Sequence, residues 1–100
     1  MPKHIGADRK RSSASLAEAF GAELTDRRTK AGWSQQALAE LLGCDVNYIG
    51  QIERAEKSPT LGILISIATA FRIRLSDILQ AAEDRVPESR LKKVPPTVEG

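Results

Sequence analysis

Val46, Asn47, Gly50, Gln51 and Arg54 recur three and four positions apart in the stretch that begins at Asp45. On a helix that spacing places them on one side. A side that only meets water more usually carries Glu and Lys, both strong helix formers. Here the residues are two amides, a small apolar group, a glycine and an arginine. Asn and Gln can each pair bidentately with the adenine edge in a major groove, and valine can touch a thymine methyl. Gly50 costs a helix roughly 1 kcal/mol relative to alanine, so its presence points to a close approach there. A neutral polar surface is the other use of such a side, and these residues alone leave both uses open.

The elements needed to hold that side can be read on either flank. Ser34 is a good N-cap, and Ala37, Leu38, Leu41 and Leu42 follow at one-face helical spacing. Gly43 ends this helix, since glycine takes the left-handed conformation without steric cost. Asp45 caps the next helix, whose apolar side is Ile49 and Ile52. Two helices this short are not stable alone in water, so they must pack on others. Upstream, Leu16, Phe20 and Leu24 form a stripe in a helix expected from Ser15, as its cap, to Lys30, stopped by Ala31-Gly32. Trp33 is expected to staple the following cap to the core. Downstream, Pro59 bars helix continuation and Thr60 caps a fourth helix, with Leu61, Leu64, Ile67, Ala68 and Phe71 as its stripe. Ser76 is expected to cap a short fifth helix carrying Leu75, Ile78 and Leu79. The expectation is an all-α, five-helix fold over residues 15–82. It is flanked by a disordered basic arm (1–14) and a disordered, proline-containing tail (83–100).

Composition limits the alternatives. With 41% hydrophobic but only 4% aromatic residues, the core must be built from Leu, Ile and Ala, which suits helices. The net charge of +2 is unevenly spread: residues 1–14 carry +3, residues 15–80 carry −1, and residues 81–100 are neutral. Any phosphate-binding surface on the folded part must therefore come from local clustering. The basic arm could serve as a solubilising tail or reach along a duplex. Cys44 excludes an intrachain disulfide and reads as buried filler in a turn, with a reactive thiol as the alternative. His4 stands alone, so no metal site and no cofactor are expected. The apolar runs are too short for a membrane span and Met1-Pro2-Lys3 does not lead into a signal peptide, giving a cytoplasmic expectation. With no nucleophile–base–acid set and no Gly-rich phosphate loop, the chain is not expected to be an enzyme.

From Arg28 to Leu79 the chain resembles the phage-repressor-like (Xre-type) helix-turn-helix family. The residues that carry the resemblance are Arg28, Ser34-Gln35, Leu38-Ala39, Gly43, Tyr48-Ile49, Ile52-Glu53-Arg54, Pro59-Thr60-Leu61 and Ile67-Ala68. The Tyr-Ile-x-x-Ile-Glu-Arg run followed by Pro-Thr-Leu also looks like the controller proteins of restriction–modification systems. The resemblance implies a lambda-repressor-like fold and a sequence-specific transcriptional regulator of double-stranded DNA. It places Val46, Asn47, Tyr48 and Gln51 at base edges, and Gln35, Arg54 and Lys57 at phosphates. It makes Arg28 and Glu53 a structural salt bridge joining the first and third helices. Ala55 and Arg72 depart from the pattern, standing where the family more often has glycine. Either they are left-handed and strained, or the helices run on past them.

One recognition helix discriminates too few base pairs to find a site in a genome, so a homodimer on a near-palindromic operator is expected. Ile63, Ile65, Ile73 and Leu75 are the candidate dimer interface, with scattered surface hydrophobes as the alternative. A rival from another class is an antitoxin or other interaction module, with the C-terminal tail as the segment that takes a protein partner.

Overall fold

The computed structural model describes the backbone of residues 2–86 and the side chains of residues 16–86. Five α-helices and no strand are found among the described residues: α1 (Pro2–Lys30), α2 (Gln35–Leu42), α3 (Val46–Glu53), α4 (Leu61–Phe71) and α5 (Leu75–Asp84). The expectation of a disordered arm over 1–14 falls on residues whose side chains lie outside the description. Because α1 begins at Pro2, Ser15 lies inside it rather than at its cap.

Four of the helices stop in the same way. The N–H of the left-handed residue bonds back three positions, and the N–H after it bonds back five, the pattern of a Schellman turn. At α1 these are Gly32 to Thr29 O and Trp33 to Arg28 O, both 3.0 Å. At α2 they are Gly43 to Glu40 O at 3.2 Å and Cys44 to Ala39 O at 3.0 Å. Ala55 to Ile52 O (3.0 Å) and Glu56 to Gln51 O (2.7 Å) close α3, while Arg72 to Thr69 O and Ile73 to Ala68 O, both 3.0 Å, close α4. The two departures from the family pattern thus take the strained option, with φ of 61° at Ala55 and 57° at Arg72.

The starts are as local as the stops. Ser34 Oγ accepts the Ala37 N–H at 3.0 Å, Asp45 Oδ1 the Asn47 N–H at 3.0 Å, and Thr60 Oγ1 the Ile63 N–H at 3.1 Å. α5 is the exception. Its N-cap is Arg74, whose N–H is accepted by Asp77 Oδ2 at 3.3 Å, so Ser76 lies within the first turn and caps nothing. An acid three residues after the cap is the half of a capping box that reaches backwards.

Leu24, Leu38, Ile49, Ile52, Ile67 and Ile78 are the large, fully buried centre, drawn from all five helices. Trp33 stacks on Phe71 with ring centroids 4.9 Å apart, fastening the α1–α2 turn to the end of α4. The apolar faces differ from the simple stripes in two places. On α2, Ala39 is buried and Leu41 is exposed; on α4, Ile63 turns inward and Leu61 outward. The packed chain also runs past residue 82: Val86 is buried, and Arg85 Nε donates to Glu23 Oε1 at 2.8 Å, clasping the end of α5 to α1. The rest of the expected tail, residues 87–100, lies outside the described residues.

A left-handed non-glycine residue costs roughly 1–2 kcal/mol, part of which glycine returns as extra freedom in the unfolded chain. Arg72→Gly is therefore expected to raise unfolding stability by about 1 kcal/mol, measured as a higher urea midpoint at unchanged m.

Candidate nucleic-acid interface

The polar contacts that tie α3 to α1 and α2 converge on its last residue. Arg28 Nε donates to Glu53 Oε2 at 2.6 Å and Arg28 Nη2 to Glu53 Oε1 at 3.1 Å, a bidentate fork across a nearly buried pair. The third arm of the guanidinium, Nη1, donates to the Trp33 carbonyl at 2.8 Å. Gln35 Nε2, from the first position of α2, donates to Glu53 Oε1 at 2.8 Å. One carboxylate therefore joins α1, α2, the α1–α2 turn and α3. A charge this buried would be costly alone, but three donors satisfy it.

One further contact sets the distance between α1 and α3. A Cβ built at Gly21 would stand 2.5 Å from Glu53 O and 2.7 Å from Ile52 O. Only a hydrogen fits there, so Gly21 lets the end of α3 lie directly on α1. The signal was available in the sequence: a glycine in a helix interior is unfavourable by roughly 1 kcal/mol and needs a packing reason.

With α3 so fixed, its outer side presents Asn47 exposed and Gln51 half-exposed, one turn apart. Val46 and Tyr48 are half-buried, each leaning on the core with part of its side chain outward. Asp45 spends its carboxylate on the helix N-terminus, so it caps rather than faces outward as an isolated charge. Gln35, expected at a phosphate, commits one amide hydrogen to Glu53 and keeps its second for another acceptor.

Arg54 is exposed but occupied. Its Nε donates to Glu56 Oε2 at 2.9 Å and its Nη2 to Glu56 Oε1 at 3.1 Å. The hydrogen bonds from Arg54 hold the Glu56 carboxyl below the ordinary carboxylate range and push the guanidinium's pKa up. A Cβ at Gly50 would lie 2.9 Å from Arg54 Nη1, so what approaches this glycine closely is a neighbour on its own helix. Lys57 is exposed beyond the turn. Sequence reasoning missed Glu56 because residues two apart do not face each other on a helix. The left-handed Ala55 between them brings them together.

The expected dimer residues divide. Ile63, Ile73 and Leu75 are half-buried against the core, and α4, packing on both α2 and α5, presents a wider apolar surface than one stripe. Ile65 stays exposed at 51%, with Leu61 one turn before it at 66%, and Leu79 is exposed on α5. Leu61 and Leu79 were not among the expected interface residues, having been assigned to the apolar sides of their helices.

Five helices, with α2 and α3 joined by a left-handed turn and α3 buttressed at its C-terminal end, define a helix-turn-helix protein. The chain belongs to the helix-turn-helix family of Xre type, which residues 24–78 match. It is 36% identical over 72 residues to the HTH-type transcriptional regulator SutR of Escherichia coli (strain K12), covering 72% of this chain and 40% of SutR. Among solved structures, the clp gene regulator ClgR from Corynebacterium glutamicum superimposes with a TM-score of 0.66 at 30% identity, over 70% of this chain and 74% of ClgR. The restriction-modification controller protein C.AhdI from Aeromonas hydrophila gives 0.60 at 35% identity, over 62% of this chain and 94% of C.AhdI. No described helix is long and apolar enough to cross a membrane.

Two outcomes follow from this geometry. Gly21→Ala gains helix propensity but drives a methyl into two backbone carbonyls, so a net loss of about 1–2 kcal/mol is expected in urea unfolding. Burial, with Asp45 adding to it, raises the Cys44 pKa, which lowers the thiolate fraction at any given pH. Iodoacetamide at pH 8 should therefore alkylate Cys44 more slowly in the native protein than in urea, by mass spectrometry of timed quenches.

Proposed function

We propose that this chain is a sequence-specific DNA-binding transcriptional regulator that acts as a homodimer on a near-palindromic operator. The observation that carries the reading is the outward amide side of α3, Asn47 and Gln51 one turn apart, on a helix whose far end is clamped by Arg28, Gln35 and Gly21. Base readout needs a rigidly placed helix, because a bidentate amide–adenine pair tolerates little displacement. In this reading Val46 and Tyr48 add apolar contact at the base edges. Gln35 gives its second amide hydrogen to a phosphate, and Lys57 meets the backbone beyond α3. SutR and C.AhdI, a transcriptional regulator and a controller protein, support the same class of activity.

Arithmetic and surface both support a homodimer. Each base pair read is worth about 1–3 kcal/mol, so one half-site discriminates too little, and a second copy doubles the readout. Leu61 and Ile65, one turn apart on α4, and Leu79 on α5 are exposed apolar residues offered for that contact, beside the expected Ile63, Ile73 and Leu75, which are half-buried. Two-fold symmetry then places half-site centres about 34 Å apart along the duplex. The reducing cytoplasm, where the DNA is, is the compartment this activity implies.

Selection of bound duplexes from a random pool tests the reading. Enrichment of a symmetric motif with half-sites one helical turn apart is the expected result, and Gln51→Ala should weaken binding to that motif by about 1–3 kcal/mol while relaxing one base pair. A pool that stays unenriched would remove DNA recognition as the function.

A further inference from the structure

The Arg54–Glu56 pair is built into the chain rather than left to chance. Ala55, left-handed at φ 61°, turns the backbone so that the Glu56 N–H bonds Gln51 O at 2.7 Å, and this brings the Glu56 carboxylate back over the end of α3. Gly50 supplies the other half of the seat: with no Cβ, it lets the guanidinium lie flat along the helix, Nη1 above Gly50 and the Nε–Nη2 edge on the carboxylate. A fork of two parallel N–H donors on two oxygens is also how a guanidinium meets a phosphate.

From this we infer that Glu56 is an internal competitor for the backbone phosphate that Arg54 would otherwise hold, and so sets how strongly the protein binds DNA of any sequence. The inference rests on the DNA-binding reading above. In the unbound protein the pair is locally neutral, so Arg54 attracts a polyanion weakly. On DNA the guanidinium exchanges a carboxylate for a phosphate, and the displaced carboxylate is left beside the duplex. Both effects subtract from the sequence-independent part of affinity, which comes from counterion release as cations neutralise phosphates. The base-reading residues on the same helix are untouched, so Glu56 lowers the background against which they select.

Glu56→Gln keeps the shape and removes the charge. With a short random-sequence duplex as probe and salt titrated around 0.1 M, E56Q is expected to bind roughly tenfold more tightly than wild type. Its plot of log K against log salt should be steeper by about 0.9, the value of one more neutralised phosphate. Arg54→Ala supplies the second arm. In the wild-type background it should weaken binding by a similar factor, because Glu56 is then left unpaired beside the duplex; in the E56Q background it should abolish the gain. Wild-type affinity and slope in E56Q, or a gain that survives in the E56Q/R54A double variant, overturns the role of Glu56 while leaving DNA binding intact. If wild type itself binds no duplex even at low salt, the DNA-binding reading falls and takes this inference with it.

Discussion

A single buried carboxylate governs where α3 lies. Glu53 is the last residue of that helix, and its two oxygens take donors from Arg28 on α1 and Gln35 on α2. Buried ion pairs of this kind add little net stability compared with apolar packing, yet losing one partner is expensive because the other is stranded. That asymmetry makes the geometry nearly all-or-none. The helix is either seated with both donors in place, or a charge is left without partners inside the fold. An exposed salt bridge could not do this, since water would replace the missing partner at small cost.

The same carboxylate explains why the domain can be so small and still hold a helix of eight residues outward. α3 buries Ile49 and Ile52 on one side, which orients it about its axis, but two apolar side chains permit sliding along that axis. The Glu53 fork and the bare Gly21 contact remove the sliding, because each fixes the end of α3 against α1. Hydrophobic burial sets the rotation, and the ion pair together with the close backbone approach at Gly21 sets the translation.

Much of this was legible in the sequence where its causes are local. Ser34, Asp45 and Thr60 act as caps within three residues of their partners, and Gly43 ends α2 through its own backbone freedom. Ser76 has the residue type of a cap but not the place of one, because the acid that caps α5, Asp77, works backwards from the third helical position. The Arg28–Glu53 pair was found through family resemblance and not through pattern, since the two residues lie far apart in the chain. The Glu23–Arg85 clasp had neither route, since Glu23 lies in the first helix and Arg85 in the expected tail. Gly50 and Gly21 pose the same question, why a helix tolerates a glycine. Gly50 stands out because it sits among amides, whereas Gly21, which packs α1 on α3, sits among ordinary helix residues. The apolar residues of α4 exceed a single stripe because α4 touches two neighbours, so their excess over one stripe does not by itself mark an interface.

Trp33 is the chain's lone indole, and its place gives the protein a native optical reporter. The ring stacks on Phe71 while the carbonyl of the same residue receives the guanidinium that braces Glu53. Its fluorescence therefore follows the joint that seats α3, and a red shift of the emission would register that joint opening to water.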